Sequence, residues 1–452
     1  MTSLVKNLLY KFFKFLNKNT LIVFFSYIGF LALVTIFFCK LYVIKSPHLI
    51  DINGNFLINK VSNGFGDIIA KLRLGQIPFL FWVNEIELYA ARRLFVPYFL
   101  IFSKNIISEN FIFIHLFKNI FFAVIIFFTI KNYNQKYNNI FLILSLFLIY
   151  YIPFNTFNLL GMQQEEGWLN YLFIILFFTL IGDYKLKSFY FAIIISMIFF
   201  LKGSMFFLTF ILPVVYLVYE KKDKFKYLPL IFIICSNLIW GSYTYNVAGF
   251  FAFGSKGSSM NASNLYMIST KDFNNSYPDV MPDVYLNRVK DIILEKNIKN
   301  EKEFMEKLIS LSINYMTENP LDYARSLGKK IYTLNINPFK DAQYPENFDS
   351  SVEKFDYKIH KTNNPIRFSN IPNKIVFNLS ILFFFYILLV RKNNTERIKK
   401  INYYYLFILI LYLFPYMIAW IYERHATTMY ALSHLYFLIM YCEIKKNTIF
   451  LK

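Results

Sequence analysis

Several ionisable residues in this sequence stand where an apolar chain is least able to tolerate them. Lys202 lies between two apolar runs, in Phe200-Leu201-Lys202-Gly203-Ser204. Glu423, Arg424 and His425 are consecutive in a very short break before the last apolar run. Arg92 and Arg93 sit in the amphipathic stretch Ala90–Tyr98, and Glu165 and Glu166 head another apolar run. Asp67 directly precedes Ile68-Ile69-Ala70, and Asp51 stands in Asp51-Ile52-Asn53-Gly54. Each has a plain structural use. Lys202 can snorkel, the Arg pair can meet headgroups, and Glu423 and Arg424 can pair in a hydrated turn. The acids at 165–166 suit a helix N-terminus, Asp67 reads as the N-cap of a surface helix, and Asp51 suits a turn. Ionisable groups at a bilayer are nonetheless costly and tend to be functional. A guanidinium fork matches phosphate oxygens, and a carboxylate takes a proton from a hydroxyl it can reach. Together these residue types suit a lipid-linked phosphate substrate.

The surround is greasy enough for such a substrate. Of 452 residues, 56% are hydrophobic and 17% charged, with 55 Phe and 35 Tyr. Soluble domains carry roughly a quarter charged residues, and mean hydropathy here is +0.40. This excludes a disordered chain, a coiled coil, a collagen and a disulfide scaffold, and it argues against a soluble enzyme. Cys39, Cys235 and Cys442 all lie in apolar blocks and make neither a disulfide framework nor a metal site. There is no phosphate-binding P-loop, no Gly-rich dinucleotide turn and no cluster of metal-binding His, so ATP is not indicated. The net charge of +20 comes from Lys and Arg beside apolar blocks. That pattern orients membrane helices and does not call for nucleic acid.

The chain therefore reads as an all-α polytopic membrane protein with about ten transmembrane helices. Spanning stretches fall near 21–44, 110–130, 138–154, 167–182, 188–201, 204–219, 227–247, 374–390, 402–421 and 426–442. With the basic segment 1–20 in the cytoplasm, the loops holding Lys131 and Lys136, Lys185 and Lys187, Lys221 to Lys226, Arg391 to Lys400, and the tail 443–452 all fall inside. That agreement requires 86–103, with Arg92, Arg93 and Pro97, to lie as helices on the outer surface. The outside segments are 45–109 and 248–372; helices 2–7 occupy 110–247 and helices 8–10 occupy 373–442. Within 248–372, helices are expected at 284–298, 301–317 and from Pro320 to about 334, followed by loop from Asn335 to Pro372.

Short motifs in this order resemble a known family. Ala70-Lys71-Leu72-Arg73-Leu74-Gly75 resembles an "A-x-x-L-x-x-G" surface helix, one residue short. Arg93 to Leu100 resembles "R-x-P-x-Y-P-x-L", and Gln164-Glu165-Glu166 an acidic outer loop. Trp240 through Phe250, then Ser255 to Leu265, resembles the entry to a periplasmic domain, within which Asn319-Pro320, Tyr323 and Lys329 also fit. Tyr422-Glu423-Arg424-His425 resembles the "E-R-Y/H" before a last helix. The family is the GT-C fold glycosyltransferases that use polyprenyl-phosphate sugars, similar to dolichyl-phosphate-mannose–protein mannosyltransferases and the lipid A aminoarabinose transferase.

The resemblance implies an inverting sugar transfer at the periplasmic side of a bacterial inner membrane. The donor is a sugar on a polyprenyl phosphate, and the acceptor is a glycan, lipid A or a protein. The family's acid would fall at Ser62, so the role of base passes to Asp67 or Asp51. Arg424, Lys202, Arg92 and Arg93 would bind the phosphate, supported by Glu423, His425, Glu165 and Glu166. The resemblance makes no cofactor certain; a divalent metal, Mg or Mn, held by Asp51, Asp67, Glu165 and Glu166, stays open. An O-antigen polymerase or ligase is the rival enzyme, but the 45–109 segment argues against it. A transporter or flippase is expected to have paired repeats and charged or Gly/Pro-broken helices near the midplane; the sequence has no repeat, and its charges sit at one face. A membrane scaffold would need no charge at Asp67 or Arg424.

Overall fold

The structure, a computed structural model, describes residues 20–45, 65–81, 86–107, 111–133, 144–146, 165–254, 259–269, 282–333, 365–390, 395–418 and 423–450. The fold is helical, with one two-stranded ribbon. Among the described residues, four helices are long and apolar enough to cross a membrane: Phe113–Lys131, Leu228–Ala248, Pro372–Leu389 and Glu396–Ile418. Shorter apolar stretches among the described residues are Leu21–Leu33, Gly167–Ile181, Lys187–Leu201 and Gly203–Tyr219. A multi-pass membrane protein follows. Helices occupy nine of the ten expected places; of 138–154, only the helical turn at 144–146 is described.

The bundle is built from α1 (Thr20–Lys45), α4 (Phe111–Tyr133), α5 (Glu166–Ile181), α6 (Lys187–Leu201), α7 (Phe206–Tyr219), α8 (Leu228–Ala248), α13 (Pro365–Val390), α14 (Glu396–Ile418) and α15 (Glu423–Phe450). Helix α5 is its pillar. Every residue from Gly167 to Ile181 is buried, because α4, α6, α14 and α15 enclose it. A helix apolar on all sides is stable only in such a position. Around it α1 packs on α4, α8 on α6, and α13 on α15. Several polar groups within the bundle pair with one another. Tyr405 meets Ser380 at 2.5 Å and Ser433 at 2.9 Å, and Tyr171 donates to Asn119 at 3.0 Å. Where water is scarce, a buried hydroxyl left unpaired is expensive.

Between α1 and α4 lie α2 (Phe65–Arg73), a ribbon of β1 (Leu80–Phe81) and β2 (Glu87–Leu88), and α3 (Phe95–Ile106). The strands are antiparallel, with Leu80 opposite Leu88. The stretch 86–103 is thus helical only from Phe95. Pro97 fits the first turn of α3, where its missing N–H leaves no bond unmade. Asp67 is the third residue of α2 and not its N-cap, because the helix already begins at Phe65.

After α8 closes on Gly249 in the left-handed conformation (φ 73°), four helices form the insert. They are α9 (Ser259–Ser269), α10 (Pro282–Glu295), α11 (Glu301–Glu318) and α12 (Pro320–Thr333). The last three match expectation closely. Asn300 caps α11 by accepting the Glu303 amide at 3.0 Å, and Pro320 opens α12. Helix α9 runs through the Gly/Ser/Asn-rich stretch. Ser259, Ala262, Ser263 and Tyr266 recur at helical spacing and are buried, a face of mostly small residues that lets α9 lie close on α11. The insert reaches the bundle where Tyr323 donates to the Ile418 carbonyl at 3.2 Å. Helix α13 starts at Pro365, seven residues before the expected end of the loop. Pro372 falls in its second turn and removes only the bond to the Phe368 carbonyl.

Candidate functional site

The site gathers at one end of α5, α6 and α8. Glu165 stands at the N-cap of α5 with helical φ and ψ, and its side chain makes no cap bond. Its carboxylate turns instead to two cations. Arg92 Nη1 lies 3.1 Å from Oε1, and Lys202 Nζ lies 3.4 Å from Oε2. The Glu165 side chain is only 6% exposed. Arg92 arrives from the segment between β2 and α3, and Lys202 from the C-cap of α6. Lys202 also lies over the Tyr416 ring of α14, 5.4 Å from its centroid. Three separate parts of the chain thus meet at one carboxylate, and a fourth, α14, touches one of its cations.

Arg93 takes the other direction. Its guanidinium is held between the rings of Phe199 and Trp240, 4.5 and 4.0 Å from their centroids. The residue is 3% exposed. Among the described residues, none of its three side-chain nitrogens has a hydrogen-bond partner. Burial pushes this group down to about 9, so it remains charged at neutral pH. Two rings offer cation–π attraction but no acceptor. Trp240 Nε1 and the Tyr243 hydroxyl, beside one another on α8, are likewise buried without a hydrogen bond. Arg93 is thus a buried cation with three donor nitrogens and no acceptor, a group that suits an anion.

Both ends of the Arg-bearing segment are anchored. On one side Trp168, three residues after Glu165, receives Phe95 and Phe99 edge-on at 5.4 and 4.5 Å. On the other, Glu301 of the insert accepts the amides of Tyr89 and Ala90. The backbone from 89 to 95 is thereby fixed against both the bundle and the insert.

Of the expected site residues, the structure brings Arg92, Glu165 and Lys202 together and places Arg93 beside them. Glu165 stands at the helix end as expected, and its carboxylate pairs with the cations and does not cap the helix. Asp51 lies outside the described residues. Asp67 sits in α2, Glu166 opens α5, and Glu423, Arg424 and His425 form the first turn of α15; their side chains lie outside the description. Among the described residues no three His, Cys, Asp or Glu converge to hold a metal. Glu301, Trp168 and Phe199 were not singled out from the sequence. Glu301 begins a predicted helix and reads as an ordinary N-terminal acid, and two aromatics in apolar runs carry no distinguishing signal. Comparisons with protein-family models, with curated proteins and with solved structures find no match.

Proposed function

We propose that the chain is a membrane glycosyltransferase that moves a sugar from a polyprenyl phosphate to an acceptor hydroxyl. The observation that carries this reading is Arg93, a buried guanidinium without an acceptor, one residue from the Arg92–Glu165–Lys202 cluster. A phosphate supplies the acceptors those donors lack. The apolar bundle supplies a surface for the prenyl chain. In this reading ten helices span a bacterial inner membrane, and the site faces the periplasm.

The chemistry is an inverting displacement. The acceptor oxygen attacks the anomeric carbon as the bond from that carbon to the phosphate oxygen breaks. The acceptor proton passes to an Asp carboxylate, Asp67 or Asp51, and the bonding electron pair leaves on the phosphate. Arg93, Arg92, Lys202 and Arg424 stabilise the charge that develops there. Glu165 holds Arg92 and Lys202 in place and limits the positive charge of the site before the donor arrives. The insert α9–α12 covers the site and selects the acceptor: a glycan, lipid A or a protein.

The test is retention of polyprenyl phosphate by the purified protein in native mass spectrometry, with the uncharged prenol as control. Wild type retains the phosphate, Arg93→Ala and Arg424→Ala lose it about tenfold or more, and Asp67→Asn binds without transferring sugar. If wild type holds the phosphate no better than the prenol, the reading fails.

A further inference from the structure

The turn between α7 and α8, residues 220–227, separates its charges by their partners. Its two acids are engaged by other groups of the protein. Glu220 accepts Lys187 of α6 at 2.8 Å and Lys400 of α14 at 2.7 Å. Asp223 accepts the hydroxyls of Ser188 at 2.5 Å and Tyr216 at 2.7 Å, and the Phe225 amide at 2.9 Å. Lys221, Lys222 and Lys224 are exposed, Lys226 is half-buried over the Tyr227 ring at 5.4 Å, and none of the four has an ion-pair partner among the described residues. Phe225 is 64% exposed and Tyr227 57%. Tyr227 is the N-cap of α8, a helix long and apolar enough to cross a membrane.

We propose that this turn is a docking surface for anionic phospholipid headgroups. Both carboxylates are engaged by protein donors, so neither neutralises the four lysines that the lipid meets. The same bonds fix the turn. Phe225 and Tyr227 enter the headgroup layer beside the lysines, as amphipathic anchors do. A neutral headgroup gains nothing from the lysines; an anionic one gains from all four. The inference is independent of any sugar transfer, because the turn lies at the opposite end of α6 from Lys202.

The test uses purified protein in detergent supplied with equal amounts of phosphatidylglycerol and phosphatidylcholine. Native mass spectrometry reads the ratio retained. One variant carries Lys221→Gln, Lys222→Gln, Lys224→Gln and Lys226→Gln. Its control carries Lys290→Gln, Lys296→Gln, Lys299→Gln and Lys302→Gln, four exposed lysines of the insert. Wild type favours phosphatidylglycerol; the turn variant loses about threefold or more of that preference, and the control keeps it. The proposal is overturned if wild type has no preference, if the turn variant keeps it, or if both variants lose it equally. Should the fourfold variant fold poorly, Lys221→Gln with Lys222→Gln is read in the same way.

Discussion

The Glu301 carboxylate accepts the Ala90 amide at 3.0 Å and the Tyr89 amide at 2.7 Å, although more than two hundred residues separate them. This contact joins the insert to the backbone that carries Arg92 and Arg93. Ser259 and Tyr243 also face the carboxylate, and Glu87 lies behind Tyr89, accepting its hydroxyl at 2.6 Å. Burial dominates and pushes Glu301 up to about 7, against the opposing pull of Ser259 and the two amides.

A pH dependence follows from that shift. The folded state binds the proton more tightly than the unfolded chain, whose Glu titrates near the usual 4.5. Stability from this group is complete below about 4.5 and falls as pH rises to about 7, beyond which it is level. The shift corresponds to roughly 3 kcal/mol at most. Glu301→Gln removes the titration and keeps an acceptor oxygen. Thermal unfolding of the two proteins is compared at pH 5 and pH 8. The variant gains on wild type between those values; a difference that stays constant removes Glu301 from the account.

How much of this was legible in the sequence depends on the range of the interaction. The apolar blocks and the three helices from Pro282 to Thr333 follow from periodicity, Asn300 and Pro320, all of which act locally. Arg92, Glu165 and Lys202 stand out because a charge beside an apolar run is costly wherever it ends up. Their mutual contact does not follow, because it joins positions 73 and 37 residues apart through the packing of α5 and α6. Glu301 was invisible for the same reason. Helix α9 was hidden by composition: Ser and Asn usually favour turns, and only packing against α11 makes a small-residue face worth forming.

Glu165 is the shared partner of two cations, so the three residues are not equivalent. Glu165→Gln leaves Arg92 and Lys202 close together with no carboxylate between them. Lys202→Gln or Arg92→Gln each leaves Glu165 one of its two cations. Loss of the carboxylate lowers stability by about 2 kcal/mol, and loss of either cation by roughly half as much. Thermal unfolding of the three variants checks the order. Equal losses would mean that the pairs do not act through one carboxylate.

Trp168 fixes the start of α3 through Phe95 and Phe99, and Phe122 packs on its other side at 5.6 Å. Trp168→Ala removes all three ring contacts and costs about 3–5 kcal/mol. Trp168→Phe keeps a ring and removes an indole N–H that has no partner, so its cost stays under about 1.5 kcal/mol. Because α3 begins two residues after Arg93, Trp168→Ala also weakens retention of polyprenyl phosphate, and Trp168→Phe does not. Unfolding and lipid retention, measured on both variants, separate packing from positioning.

Glu220 reverses the sign found at Glu301. Both glutamates are partly or largely buried, and burial alone raises each. At Glu220, however, Lys187 and Lys400 outweigh burial and hold the carboxyl below its usual value. The unfolded chain therefore binds the proton more tightly. Stability from Glu220 is present above the usual 4.5 and is lost as pH falls through the lower folded value. Glu220→Gln leaves two ammonium groups close together, and Tyr404, whose hydroxyl lies 3.3 Å from the carboxylate, loses its charged acceptor. The loss at pH 7 is about 2–4 kcal/mol, reduced from the fully buried case because the side chain is 19% exposed. Glu220 and Glu301 thus respond to pH in opposite directions. Unfolding of Glu220→Gln against wild type at pH 3.5 and pH 7 has its larger gap at pH 7, and a gap that widens toward acid would refute the lysine clamp.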